Sequence, residues 1–454
     1  MTKKIINFIL FIIIFLIPLA IFPPSKFPDD YNIPKIILLY FCSFILLICL
    51  LIKHKELKLD KSDKILLGFL ALVGISTIFS VNVEKSLIGQ SNRYEGLITF
   101  VCYYLIYYSG KYYFEFDKKF IIFSFIVIYI TCTIGTMQYY NYGRLNSLLM
   151  SKYHGEYFSS VTFGNRNFFG SFITLCVPYA MCLYILYNKK LALFISAVAF
   201  YGLLVSLTRS AWVAFFVYAI IGIIYIIKQK DIQMLKRAGI TLSIFIILFT
   251  IFINYSPTIF QEKYSGTMYT INNYKQSLSD NKSDNQKDTS EKNTSVNSES
   301  TSSSNTSTKA SNSTPKEDAR IVIWKSALRI IKDNPIIGCG TDAYLSELLV
   351  NNTEYLTQYL YSQLNAYPDK AHNEFLHIAA TIGIPALIIY LTFLFITLKN
   401  LIKSNFKENK QSFILFLCLV GYLVQAFFNI STIGVAPIFY FLLGFSYQNK
   451  QKLQ

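Results

Sequence analysis

The chain has 454 residues and a formal charge of +16, with 42 Lys and Arg against 26 Asp and Glu. Apolar residues make up 53% of it and gather in blocks of roughly 17–25 residues, long enough for a helix to cross a ~30 Å hydrocarbon core. This pattern excludes a soluble α/β enzyme, a disulfide-stapled secreted domain and a collagen-like or wholly disordered chain. It predicts an all-α, polytopic integral membrane protein.

Twelve apolar blocks predict twelve transmembrane helices. The first follows Lys3 and Lys4 but lacks a small-residue cleavage pattern, so we expect an uncleaved span. We expect spans one to nine in residues 1–254, one large loop at 255–371, and spans ten to twelve with a tail in 372–454. The blocks lie at about 5–22, 35–52, 65–81, 95–110, 119–140, 166–187, 191–207, 210–227, 238–254, 373–398, 411–428 and 432–447.

Lys and Arg are distributed unevenly between alternate loops. If the N-terminus is cytoplasmic, 22 cations lie in cytoplasmic segments and 8 in the opposite short loops. Cytoplasmic loops carry the excess of Lys and Arg, so we predict that both termini are cytoplasmic and that the large loop is extracytoplasmic. Because the cations are dispersed rather than concentrated on one domain, we expect membrane lipids and no nucleic acid as partners.

The large loop contains two kinds of sequence. From 277 to 314, 25 of 38 residues are Ser, Thr or Asn, a composition typical of disorder because almost nothing apolar can be buried. The stretch from Arg320 to Pro335 has helical periodicity and ends at Asn-Pro. At 100° per residue, Arg320 lies on the apolar face with Trp324. A charge there needs an anionic partner, which is either a structural salt bridge or a substrate.

Ionisable residues are nearly absent from the middle of the predicted spans and occur at the ends predicted to face outward. Arg93, Arg166 and Arg209 lie there against the positive-inside bias. This placement favours an anion-binding site, although each Arg taken singly can be an interfacial snorkelling residue. His372 begins span ten, and the angular count turns it towards small residues of that helix and into the bundle. A His in that position is suited to general base work or to packing.

The eight cysteines form no CxxC pair, and seven of them fall in predicted spans. We therefore expect neither disulfides nor a metal site. Since no outward Asp-x-Asp pair or His/Cys/Asp cluster occurs either, we expect no metal, nucleotide or other cofactor.

Five short segments carry a resemblance to a known family, and they occur in the family's order. Together they resemble the O-antigen ligase and polymerase superfamily of integral membrane glycosyltransferases, over roughly residues 60–445 without the Ser/Thr/Asn-rich insert. The segments are Gly89-Gln-Ser-Asn-Arg-Tyr-Glu-Gly96, Phe163-Gly-Asn-Arg-Asn-Phe-Phe-Gly170, Leu207-Thr-Arg-Ser-Ala-Trp212, the run from Arg320 through Trp324 and Pro335 to Gly340, and His372-Asn-Glu-Phe-Leu376.

The resemblance implies transfer of a glycan from a polyprenyl-pyrophosphate carrier to an acceptor hydroxyl on the outer face of the cytoplasmic membrane. It implies catalytic roles for Arg209, Arg320 and His372. Arginines would bind the pyrophosphate and stabilise it as a leaving group. The His would accept the hydroxyl proton, or orient that hydroxyl for attack, in one inverting, metal-independent displacement. The acceptor is left open between a lipid, a growing polymer and a protein. Residues expected to contact substrate are Arg93, Arg166, Asn373 and Trp324.

A flippase for lipid-linked oligosaccharides, or another polytopic transporter, is the main alternative. It would also be a basic, multi-span protein that handles a polyprenyl phosphate. Transporters usually carry mid-span charges and internal repeats, and neither is visible in this sequence. A non-catalytic assembly protein would leave the placement of Arg320 and His372 unexplained.

Overall fold

The computed structural model describes residues 2–21, 31–140, 159–256 and 318–448, and the regular secondary structure of these ranges is helical. The Ser/Thr/Asn-rich insert predicted at 277–314 lies outside the described residues. In chain order the α-helices are α1 (Thr2–Leu16), α2 (Ile33–Ile52), α3 (Lys61–Ile78), α4 (Val83–Ile88), α5 (Leu97–Tyr112), α6 (Lys118–Tyr139), α7 (Arg166–Tyr187), α8 (Lys190–Ser206), α9 (Arg209–Gln229), α10 (Ile232–Tyr255), α11 (Ala319–Asp333), α12 (Tyr344–Val350), α13 (Tyr361–Leu364), α14 (Glu374–Thr381), α15 (Ile384–Lys403), α16 (Lys410–Ala426) and α17 (Ala436–Phe445).

The protein is a multi-pass membrane protein. In the described part of the chain, seven helices are long and apolar enough to span a bilayer. Three further apolar helices, α8, α16 and α17, are shorter, and each predicted apolar block contains at least one helix. The predicted total of twelve spans stays a prediction. The seven long segments are Thr2–Leu19, Ile33–Ile52, Lys118–Tyr139, Arg166–Tyr187, Arg209–Gln229, Ile232–Tyr255 and Ile384–Lys403.

Helix α7 occupies the interior of the bundle. The most apolar window of α7 is 94% buried, whereas that of α10 is only 17% buried. Neighbouring helices α8, α9 and α16 pack around α7. The hydrocarbon core of a membrane contains no water. The exposed apolar side chains of α10 can therefore contact lipid without an unfavourable free energy of hydration.

The apolar block predicted as one tenth helix is two helices, and this corrects the sequence prediction. Helices α14 and α15 are separated at Gly383, whose φ is +100°. A Cβ there would lie 2.0 Å from the Ile336 carbonyl oxygen. The preceding loop docks into the break, because the Ile384 N–H donates to the Pro335 carbonyl at 2.9 Å and the Gly340 N–H to Thr381 at 2.9 Å. The close approach of two backbones ends the helix.

Helix α11 confirms the helical periodicity predicted after Arg320. Its buried face consists of Val322, Ile323, Ser326, Ala327 and Ile330. This face packs in a cluster of buried residues supplied by α12, by the π-helical turn Tyr355–Leu360 and by α14. Arg320 and Trp324 lie half-buried at the edge of that face.

Candidate active site

A buried carboxylate shapes the loop between α4 and α5, which carries Arg93. The Oδ2 atom of Asp342 accepts the backbone N–H of Gln90 at 2.8 Å and that of Glu95 at 3.2 Å. Burial raises the pKa of Asp342, although the nearby Lys370 charge and these two N–H donors oppose the increase. These two buried hydrogen bonds therefore join the turn after Pro335 to the Arg93 loop.

Lys370 is the cation at the centre of this junction. Its Nζ lies 2.5 Å from Glu95 Oε2 and 3.3 Å from Asp342 Oδ1. The Tyr103 hydroxyl donates to the other Glu95 oxygen at 3.1 Å. Burial lowers the pKa of Lys370, but the two carboxylates outweigh it and hold the pKa above its usual value. Three separate segments of the chain thus meet at one charged ammonium group.

The segment that carries His372 is fixed on both sides of that residue. Before it, Asp369 Oδ2 accepts from Arg93 Nε at 2.6 Å. After it, Asn373 Oδ1 caps α14 by accepting the two backbone N–H groups of Phe375 and Leu376 at 3.0 Å. His372 has a φ of +48°, a conformation that is uncommon for a residue with a Cβ. The contacts on either side hold that strained backbone in place.

A small cavity lined in part by ionisable side chains lies beside these ion pairs. Its volume is about 30 Å³, and Lys370, Glu95, Asp342, Glu374 and His377 contribute to its lining. Such a volume is large enough for water where polar partners are present. The Glu374 carboxylate accepts hydrogen bonds from two tyrosine hydroxyls of α15 and α16, at 2.9 and 3.3 Å. The cavity therefore places the Glu374 carboxylate beside the Lys370 ion pairs.

The His372 imidazole lies in the electrostatic field of cations contributed by two other segments. Burial lowers its pKa most, the Asp369 carboxylate raises it, and the Arg93 and Arg320 guanidinium groups lower it further. The net shift is below the ordinary 6.5, so the ring is neutral at pH 7. A neutral imidazole can accept a proton.

Arg320 lies at the start of α11 over an aromatic ring. Its guanidinium carbon lies 6.0 Å from the centroid of the Phe428 ring. Burial lowers the pKa of Arg320, the Asp318 carboxylate raises it, and the Arg209 charge lowers it. The lowered pKa therefore reflects mainly the burial of the guanidinium group, and the Arg209 charge adds to it from the start of α9.

Trp324 lies one turn further along α11, beside two aromatic rings. Its ring centroid is 5.8 Å from that of Phe427 and 6.5 Å from that of Phe428. The indole Nε1 is buried, and no hydrogen-bond partner for it exists among the described residues. An indole N–H without an acceptor is costly, so a ligand oxygen at this position would offset that cost.

Arg166 and Arg209 are the first residues of α7 and α9. The Thr208 hydroxyl donates to the Arg166 carbonyl oxygen at 3.0 Å, which joins the two helix starts. Gly170 permits this approach, since a Cβ there would lie 2.7 Å from the Thr208 side chain. The backbone positions of Arg166 and Arg209 are therefore close to each other in the bundle.

The structure departs from two details of the sequence reasoning. His372 precedes the helix cap instead of beginning the helix, so the angular count that turned it into the bundle does not apply. The Asn373 oxygen is used as a helix cap, and its predicted contact with substrate stays a prediction.

Sequence reasoning missed the ion pairs of Lys370, Glu95, Asp342 and Asp369. Two of these residues lie next to or within the quoted segments: Glu95 in the first segment and Lys370 just before the last. No local sequence pattern indicated the pairing, because the partners are far apart in the chain.

Part of the chain matches a known protein family. The model of the O-antigen ligase family matches residues 192–391, a range that includes Arg209, Arg320, Trp324 and the segment from His372. It leaves out Arg93 and Arg166. No curated protein matches the chain. The family match supports a membrane glycosyltransferase of the O-antigen ligase or polymerase type, and it confirms the resemblance of this chain to the O-antigen ligase and polymerase superfamily.

Proposed function

We propose that the protein transfers a glycan from a polyprenyl-pyrophosphate carrier to an acceptor hydroxyl on the outer face of the cytoplasmic membrane. The observation that carries the proposal is the electrostatic coupling of a neutral His372 to Arg93 and Arg320, and of Arg320 to Arg209. Glycosyl transfer from a pyrophosphate needs cations that stabilise the polyanionic leaving group and a base that accepts the proton of the acceptor hydroxyl. The distribution of loop cations supports the outward orientation.

In this mechanism Arg209 and Arg320 bind the donor pyrophosphate. As the acceptor oxygen attacks the anomeric carbon, the bond from that carbon to the pyrophosphate oxygen breaks and negative charge grows on the leaving group. Guanidinium groups already aimed at that charge stabilise the transition state more than the ground state. Each guanidinium group can donate two parallel hydrogen bonds to the oxygens of one phosphate.

His372 accepts the proton of the attacking hydroxyl. Its lowered pKa keeps the ring neutral at pH 7, so it is ready as a base without prior deprotonation. A single displacement inverts the anomeric configuration. The bond energy of the carrier drives the reaction, so the proposal includes no metal and no nucleotide.

Four further residues complete the proposed substrate site. Arg93 and Arg166 add positive charge for the donor, and Trp324 offers its unpartnered indole N–H to a sugar or phosphate oxygen. Asn373 lies next to His372, and its side-chain N–H₂ group is the part left for a substrate contact because its oxygen caps α14.

The test is a reconstituted assay with purified protein, lipid-linked donor and acceptor on the same side. We expect wild-type protein to elongate or transfer the glycan, whereas His372→Ala should reduce turnover by about 10²–10⁴-fold and leave donor binding intact. The control is His54→Ala, because His54 is exposed and its ring nitrogen Nδ1 lies 3.0 Å from the carbonyl oxygen of Leu51. Movement of intact donor across the bilayer without conversion would instead identify a flippase.

A further inference from the structure

An apolar cavity of about 270 Å³ lies between α1, α6, α7, α16 and α17. Aromatic and aliphatic side chains form most of its wall, including Phe15, Phe120, Phe172 and Leu442. None of the residues assigned to glycan transfer lines it. It is therefore a separate feature of the bundle.

Three small side chains contribute to the wall of the cavity. Ser124 of α6, Cys176 of α7 and Cys418 of α16 stand on its wall. Protein interiors are packed with few voids larger than water. An apolar space is not stabilised by water, which finds no hydrogen-bond partners there, but it binds apolar molecules. Because the wall is mostly apolar, we expect the cavity to bind a hydrocarbon chain.

One end of the cavity is basic. Lys189 lines it together with Tyr187 and Gln411. The adjacent Lys410 lies 5.8 Å from the Tyr187 ring centroid and donates to the Leu186 carbonyl at 3.3 Å. Two ammonium groups at the mouth of an apolar cleft match a lipid with an anionic headgroup.

This basic end of the cavity is far from the arginines of the proposed transfer site. Arg166 begins α7 and Lys189 lies two residues after its last residue, and a helix of 22 residues is about 33 Å long. A lipid whose phosphate lies at Lys189 therefore belongs to the leaflet opposite the proposed transfer site. The pyrophosphate of the glycan donor cannot occupy both places.

We propose that this cavity binds one acyl chain of an anionic glycerophospholipid, with the lipid phosphate held by Lys189 and Lys410. Because the chain fills a gap between five helices, the lipid stabilises the packing of α6 against α7 and α16. The proposal does not depend on the transfer reaction, since its ligand, residues and leaflet are different.

The experiment measures lipids retained by the purified, full-length protein in native mass spectrometry. Dioleoyl phosphatidylglycerol and dioleoyl phosphatidylcholine are added separately, because they share acyl chains and differ in headgroup charge. We expect one phosphatidylglycerol to be retained at lower concentration than phosphatidylcholine. The double variant Lys189→Gln, Lys410→Gln should weaken its retention about 30-fold, since each lysine contributes about a fivefold effect near an anionic headgroup.

The matched control is the double variant Lys399→Gln, Lys403→Gln. It removes the same charge from the last turns of α15, the helix joined by a short turn to the start of α16, and it should retain phosphatidylglycerol as the wild type does. Equal losses in both double variants would show a general charge effect and overturn the site. Equal retention of the two lipids by the wild type would overturn the headgroup assignment.

Filling the cavity tests the acyl-chain position. Cys176→Phe should abolish retention of the tight phosphatidylglycerol and leave the melting temperature of the delipidated protein equal or higher. Ser124→Leu, on the opposite wall, is the second variant should Cys176→Phe fail to fold. Undiminished retention in a folded variant would overturn the proposal. Displacement of the tight lipid by polyprenyl phosphate, at concentrations where phosphatidylcholine has no effect, would assign the cavity to the donor tail instead.

Discussion

Lys370 and Glu95 form a buried ion pair at 2.5 Å that joins chain positions 275 residues apart. Their side chains are 1% and 5% exposed, so neither charge is solvated by bulk water. The pair links the loop that carries Arg93 to the segment that carries His372. The geometry of the proposed active site therefore depends on a lysine that need not touch the substrate.

Lys370→Met should destabilise the protein strongly, because it leaves the Glu95 and Asp342 carboxylates buried without their cation. Removing one partner of a buried pair costs about 3–5 kcal/mol, and we expect a clearly lower melting temperature in detergent. Lys3→Met is the matched control, since Lys3 lies 2.6 Å from Glu115 but both side chains are more than half exposed. Similar melting temperatures for the two variants would contradict the role assigned to Lys370.

The pH dependence of transfer should follow the two charges beside His372. Activity falls as the pH decreases through the pKa of His372, because the protonated ring cannot accept a proton. Asp369 raises that pKa and Arg93 lowers it. Asp369→Asn should therefore move the acidic limb of kcat/KM to lower pH, and Arg93→Gln should move it to higher pH.

The measurement is kcat/KM against pH between about 5 and 8, with His372→Gln as the control that should lack this limb. Since the two substitutions break the same ion pair, a purely structural effect would reduce activity without opposite shifts. Shifts in the same direction would argue against His372 as the titrating base.

Most helices of this fold were predictable from sequence, but their junctions were not. Apolar blocks located α2, α6, α7 and α9 because a bilayer imposes both length and composition on a spanning helix. The break at Gly383 was missed because apolar residues continue the pattern on both sides, although Gly383 and Pro385 are residue types that end and begin helices. It arises from a loop that docks there, which is a long-range contact.

The candidate site shows the same limit. Arg209, Arg320 and His372 were identifiable from their types and their neighbours in sequence. The backbone conformation of His372 was not, because it depends on Asp369 and on the cap of α14. Pairings such as Arg93 with Asp369 leave no local sequence pattern, since the partners are separated by 276 residues.

Trp324→Phe should separate packing from ligand binding. Phenylalanine keeps an aromatic ring near Phe427 and Phe428 but removes the indole N–H, which is buried without a partner. We expect little change in melting temperature and a rise in KM of the donor or acceptor, because one hydrogen bond to substrate is lost. Unchanged kinetic constants would show that the indole N–H does not contact substrate.

Arg320→Lys should weaken donor binding although the charge is kept. A lysine cannot reproduce the bidentate hydrogen bonds of a guanidinium group to phosphate, and losing one charge-assisted bond of about 1.5–3 kcal/mol corresponds to about a 10–100-fold higher donor KM. Arg329→Lys on the same helix is the control, since its Nε donates to Asn352 at 2.7 Å. Equal effects of the two substitutions would indicate damage to α11 rather than loss of a phosphate contact.

Cysteine labelling should establish which side of the membrane the site faces. The eight native cysteines are buried, so an impermeant maleimide applied to intact cells should give little background. Asn188 and Asn405 are exposed in the turns after α7 and α15, whereas Glu84 is exposed on α4, just before the Arg93 loop. Because loop cations set the orientation, Glu84→Cys should be labelled from outside, and Asn188→Cys and Asn405→Cys only after the membrane is opened. Labelling of the two asparagine positions in intact cells would place the arginines and His372 in the cytoplasm, where an exported acceptor could not reach them.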